Sequence, residues 1–254
     1  MSRWLVVTLI APFASYGERA GNVERGTAER PTRSALIGLA GAALGIRRDD
    51  AEGQRQLATS FRVGILTLRT GTLLTDFHTF QSLPSSKGKP RTRGEALAVR
   101  GDLATSITRR EYRTDVWHEA AYTAESGARW SLEELADAFR RPAYTLFLGR
   151  KSCPLSAPLD PVLTEAETGL FDVFTERRRS RPSFAPDRPL FDRRIRSLAA
   201  GTVAAERESD LGGSNTPARR HRRIDDPGDR LTWQFAARDE FILPWRHPDE
   251  ESSP

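Results

Sequence analysis

Few side chains in this sequence are of the types that carry out catalysis or bind a metal. The four histidines (His78, His118, His221 and His247) are not spaced as metal ligands, and the single cysteine, Cys153, cannot form a zinc site with them. Neither a glycine-rich phosphate loop nor the G-x-S-x-G motif of a serine hydrolase occurs. We therefore expect no metal and no cofactor.

Metal-free cleavage of RNA stays open, because it requires only a general base and a general acid near a 2′-hydroxyl. By residue type alone, His78, Tyr16 and Lys151 are candidates for these roles. The favoured interpretation of His78 is nevertheless an ordinary polar or hydrogen-bonding histidine.

Arginine dominates the positive charge. The 254 residues carry a formal net charge of +5, and of 39 basic residues only Lys87, Lys89 and Lys151 are lysine, which leaves 36 arginines. Arginine suits bidentate contacts to phosphate and stacking on bases. Because a GC-rich genome also produces an excess of arginine, charge alone does not establish a nucleic-acid partner.

The string LGRKSCPLSAPL, residues 148–159, places two adjacent cations, Arg150 and Lys151, at the predicted end of a strand. Pro154 and Pro158 stiffen the segment that follows. A phosphate-binding strand end and a solvated loop both agree with this pattern. Cys153 is interpreted as a small buried hydrophobe rather than a nucleophile.

Hydrophobic patterns predict the elements that position these residues. Strands are expected at residues 4–10, 61–69, 116–123 and 144–149, helices at 34–46, 50–59 and 132–140, and a long polar loop at 12–31. Thr32 is an N-cap candidate, Gly45 a helix end, and Ser131 with Glu134 a capping box. The order β, α, β-β with an inserted arm, α, β is typical of an α+β fold, a ferredoxin-like or RNA-recognition-motif sheet.

The inserted arm spans residues 76–115 and follows a turn at Thr70 and Gly71. Its flanks, residues 77–81 and 107–112, have strand-like composition, whereas Gly, Ser, Pro and positive charge in the middle oppose a packed core element. An insertion of this length is typically functional or disordered. We predict a β-hairpin with these flanks as its base strands and a mobile tip.

The chain is predicted to divide into a domain at residues 1–160, which carries the arm, and a smaller β-rich C-terminal subdomain at residues 161–254 with basic loops. A short apolar run lies within residues 164–176, and arginines cluster at 176–197 and 219–223. The first cluster is either a nucleic-acid path or a solvated charge run. Strands are expected at 230–237 and 240–245, before a frayed tail at 248–254.

The expected location is the cytoplasm. One cysteine excludes an internal disulfide framework and points to a reducing compartment. The apolar N-terminus, residues 4–14, is interpreted as a first strand rather than a signal peptide, and the longest other uncharged run, residues 34–46, is too short to span a bilayer. We expect a soluble protein with no membrane partner.

Several motifs, in order, resemble one known family. The strings PTRSALIGLAGAALGIRRDD, DFHTFQ, TSITRREYRTD and LGRKSCPLSAPL closely resemble those of the CasD subunits of type I-E CRISPR Cascade, which belong to the RAMP superfamily. APFASYG resembles the family's glycine-proline-x-alanine-serine-tryptophan-glycine motif, with Ala11 and Tyr16 as departures, although tyrosine keeps an aromatic ring there. The resemblance covers residues 4–160 in strict order and is loose beyond them.

The resemblance implies a modified RNA-recognition-motif domain with a projecting β-hairpin thumb and a small C-terminal domain. Such a subunit caps the 5′ handle of the CRISPR RNA in antiviral defence. It links the backbone (CasC-type) subunit to the large (CasA-type) subunit, and it meets target DNA only through the complex. A separate subunit cuts precursor RNA in type I-E systems, so no catalytic residue is expected. Relatives in type I-C systems do cut RNA, which keeps a metal-independent endoribonuclease as the alternative, and a pure protein scaffold is a third hypothesis.

Single-stranded RNA is bound by aromatic stacking and by arginine and backbone contacts. Given the resemblance, we predict that Tyr16, His78 and Tyr112 stack on bases. Predicted phosphate contacts are Arg19, Arg30, Arg33, Arg109, Arg110, Arg150 and Lys151, and further predicted RNA contacts are Ser15, Thr32, Ser34, Thr79, Gln81 and Thr108. Arg33 is placed in the first turn of a helix, whose N–H groups favour anions. For each residue the alternative is a surface charge or an intramolecular ion pair.

Overall fold

The computed structural model describes residues 2–20, 23–84, 88–98, 103–167, 169–180, 183, 198–212, 217–228 and 234–247. These ranges form a large, mostly antiparallel sheet with a small number of helices. The predicted α+β class is confirmed at this level. No helix in the described ranges is long and apolar enough to cross a membrane.

The strands are β1 Ser2–Ala14, β2 Gly17–Ala20, β3 Glu24–Thr27, β4 Phe61–Arg69, β5 Thr72–Ser82, β6 Ala104–Ala124, β7 Val162–Ala166, β8 Ala200–Ala205, β9 Arg219–Pro227 and β10 Phe235–Arg246. The helices are α1 Arg33–Leu44, α2 Ala51–Ser60, α3 Arg93–Ala98, α4 Leu132–Arg140 and α5 Leu170–Arg179.

Strand β6 organises the sheet. Over its second half it lies between β1 and β4, so that Tyr122 is opposite Leu5 on one side and Val63 on the other. Strand β7 pairs with the outer edge of β1, which gives the local order β7-β1-β6-β4 with every pairing antiparallel. Strands β8, β10 and β9 continue the sheet beyond β4.

Local signals place α1 and α4 where the sequence predicts them. Thr32 caps α1, because its Oγ1 accepts a hydrogen bond from the backbone N–H of Ala35 at 3.1 Å. Gly45 ends α1 with a left-handed φ of 76°. Ser131 and Glu134 form the predicted capping box at the start of α4.

Strands β5 and the first half of β6 form a long hairpin, the hairpin arm, with Thr72 opposite Thr114 and Ser82 opposite Ala104. The predicted base strands therefore pair with each other. Between them the described residues include the short helix α3, which the sequence did not indicate. Residues 85–87 and 99–102, in the predicted tip, lie outside the described residues.

Three sequence predictions were wrong. The expected loop at residues 12–31 contains the end of β1 and strands β2 and β3, and β3 satisfies its backbone by pairing in parallel with β6. Residues 144–149 form no strand, because the Leu148 N–H bonds to the Cys153 carbonyl within a turn while β7 takes the place beside β1. Residues 107–112 and 116–123 are not separate strands but parts of β6.

The C-terminal part differs in detail from the prediction. The apolar run after residue 164 belongs largely to α5, and the two expected final strands are one strand, β10. The described residues do not include positions 184–197 of the first arginine cluster, 230–233 or the tail 248–254.

Helices cover both faces of the sheet. One core packs α1, α2 and α4 against the sheet through buried residues that include Leu36, Leu57, Leu135 and Tyr122. The other packs α5 through Leu170, Val173 and Phe174 against strand residues such as Trp4 and Trp245. The sheet is therefore the middle layer, and α1 lies on the same side as α4.

A buried ion pair ties α5 to the sheet. Nε of Arg177 lies 3.7 Å from Glu119 of β6, and Nη2 lies 2.9 Å from Asp160; the Arg177 and Glu119 side chains are 2% and 4% exposed. Thr8 Oγ1 donates to Glu119 at 2.7 Å and accepts from Arg177 at 2.9 Å. Burial raises the pKa of Glu119, and the Arg177 charge opposes that effect. Among the groups that favour the ionised carboxylate, Arg177 has the largest effect.

Candidate nucleic-acid interface

The candidate site is a groove along the solvent-facing side of α1, here called the α1 groove. This side of the helix carries small, half-buried residues, Ser34, Ala35, Gly38 and Ala42. A section of about 890 Å³ lies over the N-terminal half of α1 and a section of about 1110 Å³ over its C-terminal half; both include Gly38 and Ala42. Small side chains let a bound chain approach the helix backbone closely.

The turn at residues 148–151 forms one wall of the groove and is fixed to the end of β1. Leu148 O accepts a hydrogen bond from the Ser15 N–H at 3.0 Å. Gly149 has a φ of +87°, and a Cβ there would lie 1.7 Å from the Ser15 carbonyl oxygen. Only glycine allows the turn to lie this close to β1. This close contact sets the positions of Arg150 and Lys151.

Arg150 joins this turn to the base of the hairpin arm. Its guanidinium donates to the carbonyl oxygens of Glu111 and Arg25, both at 3.2 Å, and lies 4.7 Å from the ring centroid of Tyr112. Ser15 Oγ donates to the same Glu111 carbonyl at 3.0 Å. The structure thus brings Ser15, Tyr112 and Arg150 together beside the N-terminal section of the groove.

Apolar side chains and cations share the lining of the groove. Phe147 borders both sections, Tyr144 borders the C-terminal one, and Ile224, 53% exposed, borders the N-terminal one. Arg25 lies at the N-terminal section and Lys151 at the C-terminal section, both exposed. Neither cation forms a salt bridge within the described part of the chain. Aromatic surface beside unpaired cations is the combination that binds single-stranded nucleic acid.

Arg33 has intramolecular partners that occupy its guanidinium. It contacts Glu206 at 3.0 Å and Asp226 at 2.8 Å, and donates to the Ala58 carbonyl at 2.6 Å. Its backbone N–H donates to the Asp225 carboxylate at 2.9 Å. The anion at the start of α1 is therefore the Asp225 carboxylate of the chain itself. For Arg33, the structure shows the alternative to an RNA contact, which is an intramolecular ion pair.

Arg30 belongs to the same set of contacts, here called the α1–β9 ion network, through its ion pair with Glu240. The network balances four arginines against four carboxylates: Arg30, Arg33, Arg223 and Arg238 with Glu206, Asp225, Asp226 and Glu240. Burial opposes ionisation of Asp225, yet the hydrogen bonds and charge of Arg238 hold its pKa below the ordinary value. The network joins α1 to β9 and β10.

Tyr16 and Thr32 also have structural roles. Thr32 is 2% exposed and caps α1, although both it and its neighbour Ser34 border the N-terminal section of the groove. The Tyr16 ring is fully buried and meets His118 edge-on, with centroids 5.8 Å apart. Burial raises the pKa of the Tyr16 hydroxyl far above its ordinary range. In this conformation Tyr16 presents no surface on which a base can stack.

His118 makes stability depend on pH. Burial, with a smaller effect from the Arg30 charge, lowers the pKa of His118 from 6.5 to about 3. Below pH 6.5 His118 is protonated in the unfolded chain but stays neutral in the folded chain. The free energy of unfolding is therefore greatest above pH 6.5 and falls as the pH drops toward 3. At pH 5 we expect a loss of about 2 kcal/mol. Urea unfolding at pH 7.5 and 5.0 should show this loss in the wild type beyond that of His118→Leu; equal losses would contradict it.

The hairpin arm distributes its predicted residues over two faces, because side chains alternate along a strand. One face carries Thr79, Gln81 and Arg109; Arg109 lies 5.6 Å from the Phe77 ring centroid and 3.3 Å from Glu24. The other face carries His78, Thr108, Arg110 and Tyr112. His78 Nε2 lies 2.6 Å from Asp76 Oδ2, and Thr108 is 5% exposed.

Comparison with known proteins identifies the family. The family described as CRISPR-associated protein (Cas_Cas5) matches residues 4–239. The chain belongs to this Cas5 family. The Cascade subunit CasD of the CRISPR system of Escherichia coli (strain K12) is 34% identical over 161 residues, which are 63% of this chain and 70% of that protein.

Two solved structures share the fold of this chain. One, described as a CRISPR RNA-guided surveillance complex, has a TM-score of 0.62 at 24% identity. The match covers 96% of this chain and 90% of the chain in that structure. Another, described as the crystal structure of a Cas protein, has a TM-score of 0.58 at 24% identity. The match covers 97% of this chain and 96% of the chain in that structure. The family resemblance read from the sequence motifs is confirmed.

Sequence reasoning did not select several residues that line the groove of this Cas5-family chain. Tyr144 and Phe147 lay in a segment that was interpreted as a strand, and Arg25 in one interpreted as a loop. Pro142 lies outside that segment, so no residue within the segment argued against a strand. Arg19 lies in β2, but its side chain is outside the described residues. Within the described ranges no three His, Cys, Asp or Glu side chains are grouped as metal ligands.

Proposed function

We propose that this Cas5-family protein is a non-catalytic subunit of a type I-E Cascade complex that binds and caps the 5′ handle of the CRISPR RNA. The α1 groove carries the proposal. It combines a small-residue floor, aromatic walls and two cations, Arg25 and Lys151, that form no salt bridge with the described residues, and it opens beside the base of the hairpin arm. The CasD relative supports assignment to a Cascade complex.

The fold supports an RNA-recognition-motif core within this proposal. Strand order β7-β1-β6-β4, with α1 and α4 on one face, is the arrangement of a β-α-β-β-α-β unit. In the proposal the hairpin arm is the thumb of a domain at residues 1–160. Residues 161–254 are the C-terminal subdomain, except that β7 completes the sheet of the first domain beside β1, and strands β8 to β10 extend the same sheet beyond β4.

The hairpin arm supplies a surface for RNA or for partner subunits. Leu73, Leu74, Phe77, Phe80 and Ile107 on its two strands are 36–63% exposed. An apolar surface of this kind marks an interaction site when it is contiguous. We propose that it meets the RNA and the neighbouring backbone and large subunits in the cytoplasm, with target DNA engaged through the complex.

The structure narrows the proposed RNA contacts. Exposed or groove-facing residues remain in the proposal, whereas Tyr16, Arg30, Thr32 and Arg33 are committed to internal contacts and Thr108 is buried. The retained contacts are Ser15, Ser34, His78, Thr79, Gln81, Arg109, Arg110, Arg150 and Lys151, and Arg25 joins them. Tyr112 is not retained, because it is 8% exposed and the Arg150 guanidinium lies over its ring.

Removing the two unpaired groove cations should weaken RNA binding. For single strands, each neutralised phosphate contributes about −0.7 to the slope of log K against log salt, so Arg25→Gln with Lys151→Gln should reduce the slope by about 1.4 in magnitude. Filter binding of handle-containing CRISPR RNA at 50–200 mM salt measures this. A matched control is Arg55→Gln with Arg246→Gln, two exposed arginines outside the groove lining. Equal slopes in both double variants would remove the groove from the proposal.

One contact favours the endoribonuclease as a second candidate. Asp76 Oδ2 lies 2.6 Å from His78 Nε2 on a half-exposed face of the hairpin arm, so a carboxylate stands beside the histidine that would act as general base. Tyr112 and Arg110 share this face. Cleavage of precursor repeat RNA in EDTA that His78→Ala abolishes would establish this function, and intact RNA would remove it.

A further inference from the structure

Strand β9 begins with five consecutive basic residues, RRHRR at positions 219–223. The first four are exposed and the fifth is half-buried. In the described part of the chain β9 pairs with β10 alone, so this run lies on an outer edge of the sheet.

Only part of this charge is neutralised within the protein. Arg223 belongs to the balanced α1–β9 ion network, and Arg220 pairs with Asp239 at 2.6 Å. Asp239 also lies opposite Arg222 across the strands. Neither Arg219 nor Arg222 forms a salt bridge with any residue that the structure describes. The edge therefore keeps an excess of positive charge.

The basic run leads away from the α1 groove. Ile224 and Asp225, the next two residues of β9, line the N-terminal section of the groove. At about 3.4 Å per residue, the strand from Ile224 to Arg219 is about 17 Å long. Side chains alternate between faces, so Arg219 and Arg222 lie on opposite sides of the edge. A phosphate backbone that follows the edge would meet a cation on each side.

Protection of the sheet edge does not account for this run. Charged side chains prevent edge-to-edge pairing whatever their sign. Strand β9 carries acidic residues only at its groove end, Asp225 and Asp226, and both belong to the ion network. The single sign of the exposed charge at positions 219–222 points to an anionic partner.

We propose that the basic edge of β9 binds the phosphate backbone of the guide RNA where the RNA leaves the α1 groove. This inference rests on the proposed function, because it takes the groove to hold RNA. It adds a contact surface in the C-terminal part of the chain, with Arg219 and Arg222 as the phosphate-binding residues. No base is read there, so the contact is independent of RNA sequence.

The test uses the full chain and the variant Arg219→Gln with Arg222→Gln. Both residues are exposed and outside the ion network, so the fold should be kept. For handle-containing CRISPR RNA, the slope of log K against log salt should fall by about 1.4 in magnitude. The ratio of wild-type to variant affinity should then decrease about sevenfold between 50 and 200 mM salt. The Arg55→Gln with Arg246→Gln control should match the wild type. A DNA duplex of equal length should show no selective loss with the β9 variant.

The outcomes separate this inference from the proposed function. If the wild type prefers handle-containing RNA and the β9 variant keeps the wild-type slope, β9 is not an RNA contact and the proposed function stands. A loss confined to duplex DNA, or aggregation with unchanged RNA affinity, also overturns the inference. If the wild type shows no handle preference while the β9 slope still falls, the proposed function fails and the β9 contact remains.

Discussion

Replacing Arg177 with alanine is expected to lower the free energy of unfolding by about 3–5 kcal/mol, because the change leaves a buried carboxylate without its counter-charge. Glu119 is 4% exposed at its side chain and would keep the hydrogen bonds from Thr8 and Trp117 and the weaker effect of the Arg178 charge. Asp160, whose pKa is held down by Ser183 and Arg177 against the effect of burial, loses one of its two supports. Urea unfolding at neutral pH measures the loss.

Two controls separate this effect from a general loss of charge on α5. Arg179→Ala removes an exposed arginine of α5 that lies 3.8 Å from Glu176, and it should cost less than about 1 kcal/mol. Arg177→Met with Glu119→Gln removes both charges and should recover part of the lost stability. If Arg177→Ala were no worse than Arg179→Ala, the buried pair would not hold α5 to the sheet.

Gly149→Ala should destabilise the protein by about 3 kcal/mol and weaken RNA binding together. An alanine at a positive φ costs of the order of 1 kcal/mol or more, and the new Cβ would also lie 1.7 Å from the Ser15 carbonyl oxygen. The turn must then move away from β1, and Arg150 and Lys151 must move with it. Thermal unfolding and filter binding of handle-containing RNA measure the two effects.

Gly127→Ala is the matched control, because Gly127 has a φ of +79° but no atom within 4 Å of the position of the new Cβ. It should cost about 1 kcal/mol and leave RNA affinity unchanged. Equal losses of stability in the two variants would show that backbone conformation, and not the contact with β1, explains the requirement for glycine at position 149.

Signals between near neighbours in the chain made the local elements predictable. The caps at Thr32 and Ser131 and the glycine ends at Gly45 and Gly71 involve residues within a few positions of each other. The hairpin arm was predictable for the same reason, since a composition change marks each of its flanks. These features set the element order and, with it, the α+β class.

Roles that depend on distant partners were not predictable from the sequence. Arg33 has the features of a phosphate ligand at a helix start, but Glu206 and Asp226, more than 170 positions away, neutralise it. Tyr16 has an aromatic ring suited to stacking, but the sheet and its helices bury it. The groove likewise exists only once residues 144–151 lie against α1 rather than in the sheet.

The most direct test is a titration of the full-length protein, in EDTA, with labelled mature CRISPR RNA and with the same RNA lacking its 5′ handle, followed by a denaturing gel. The proposed function predicts tighter binding of the handle-containing RNA, a salt-dependent affinity and RNA that stays intact. Equal affinity for the two RNAs would contradict handle capping, and cleavage of the RNA would contradict a non-catalytic subunit.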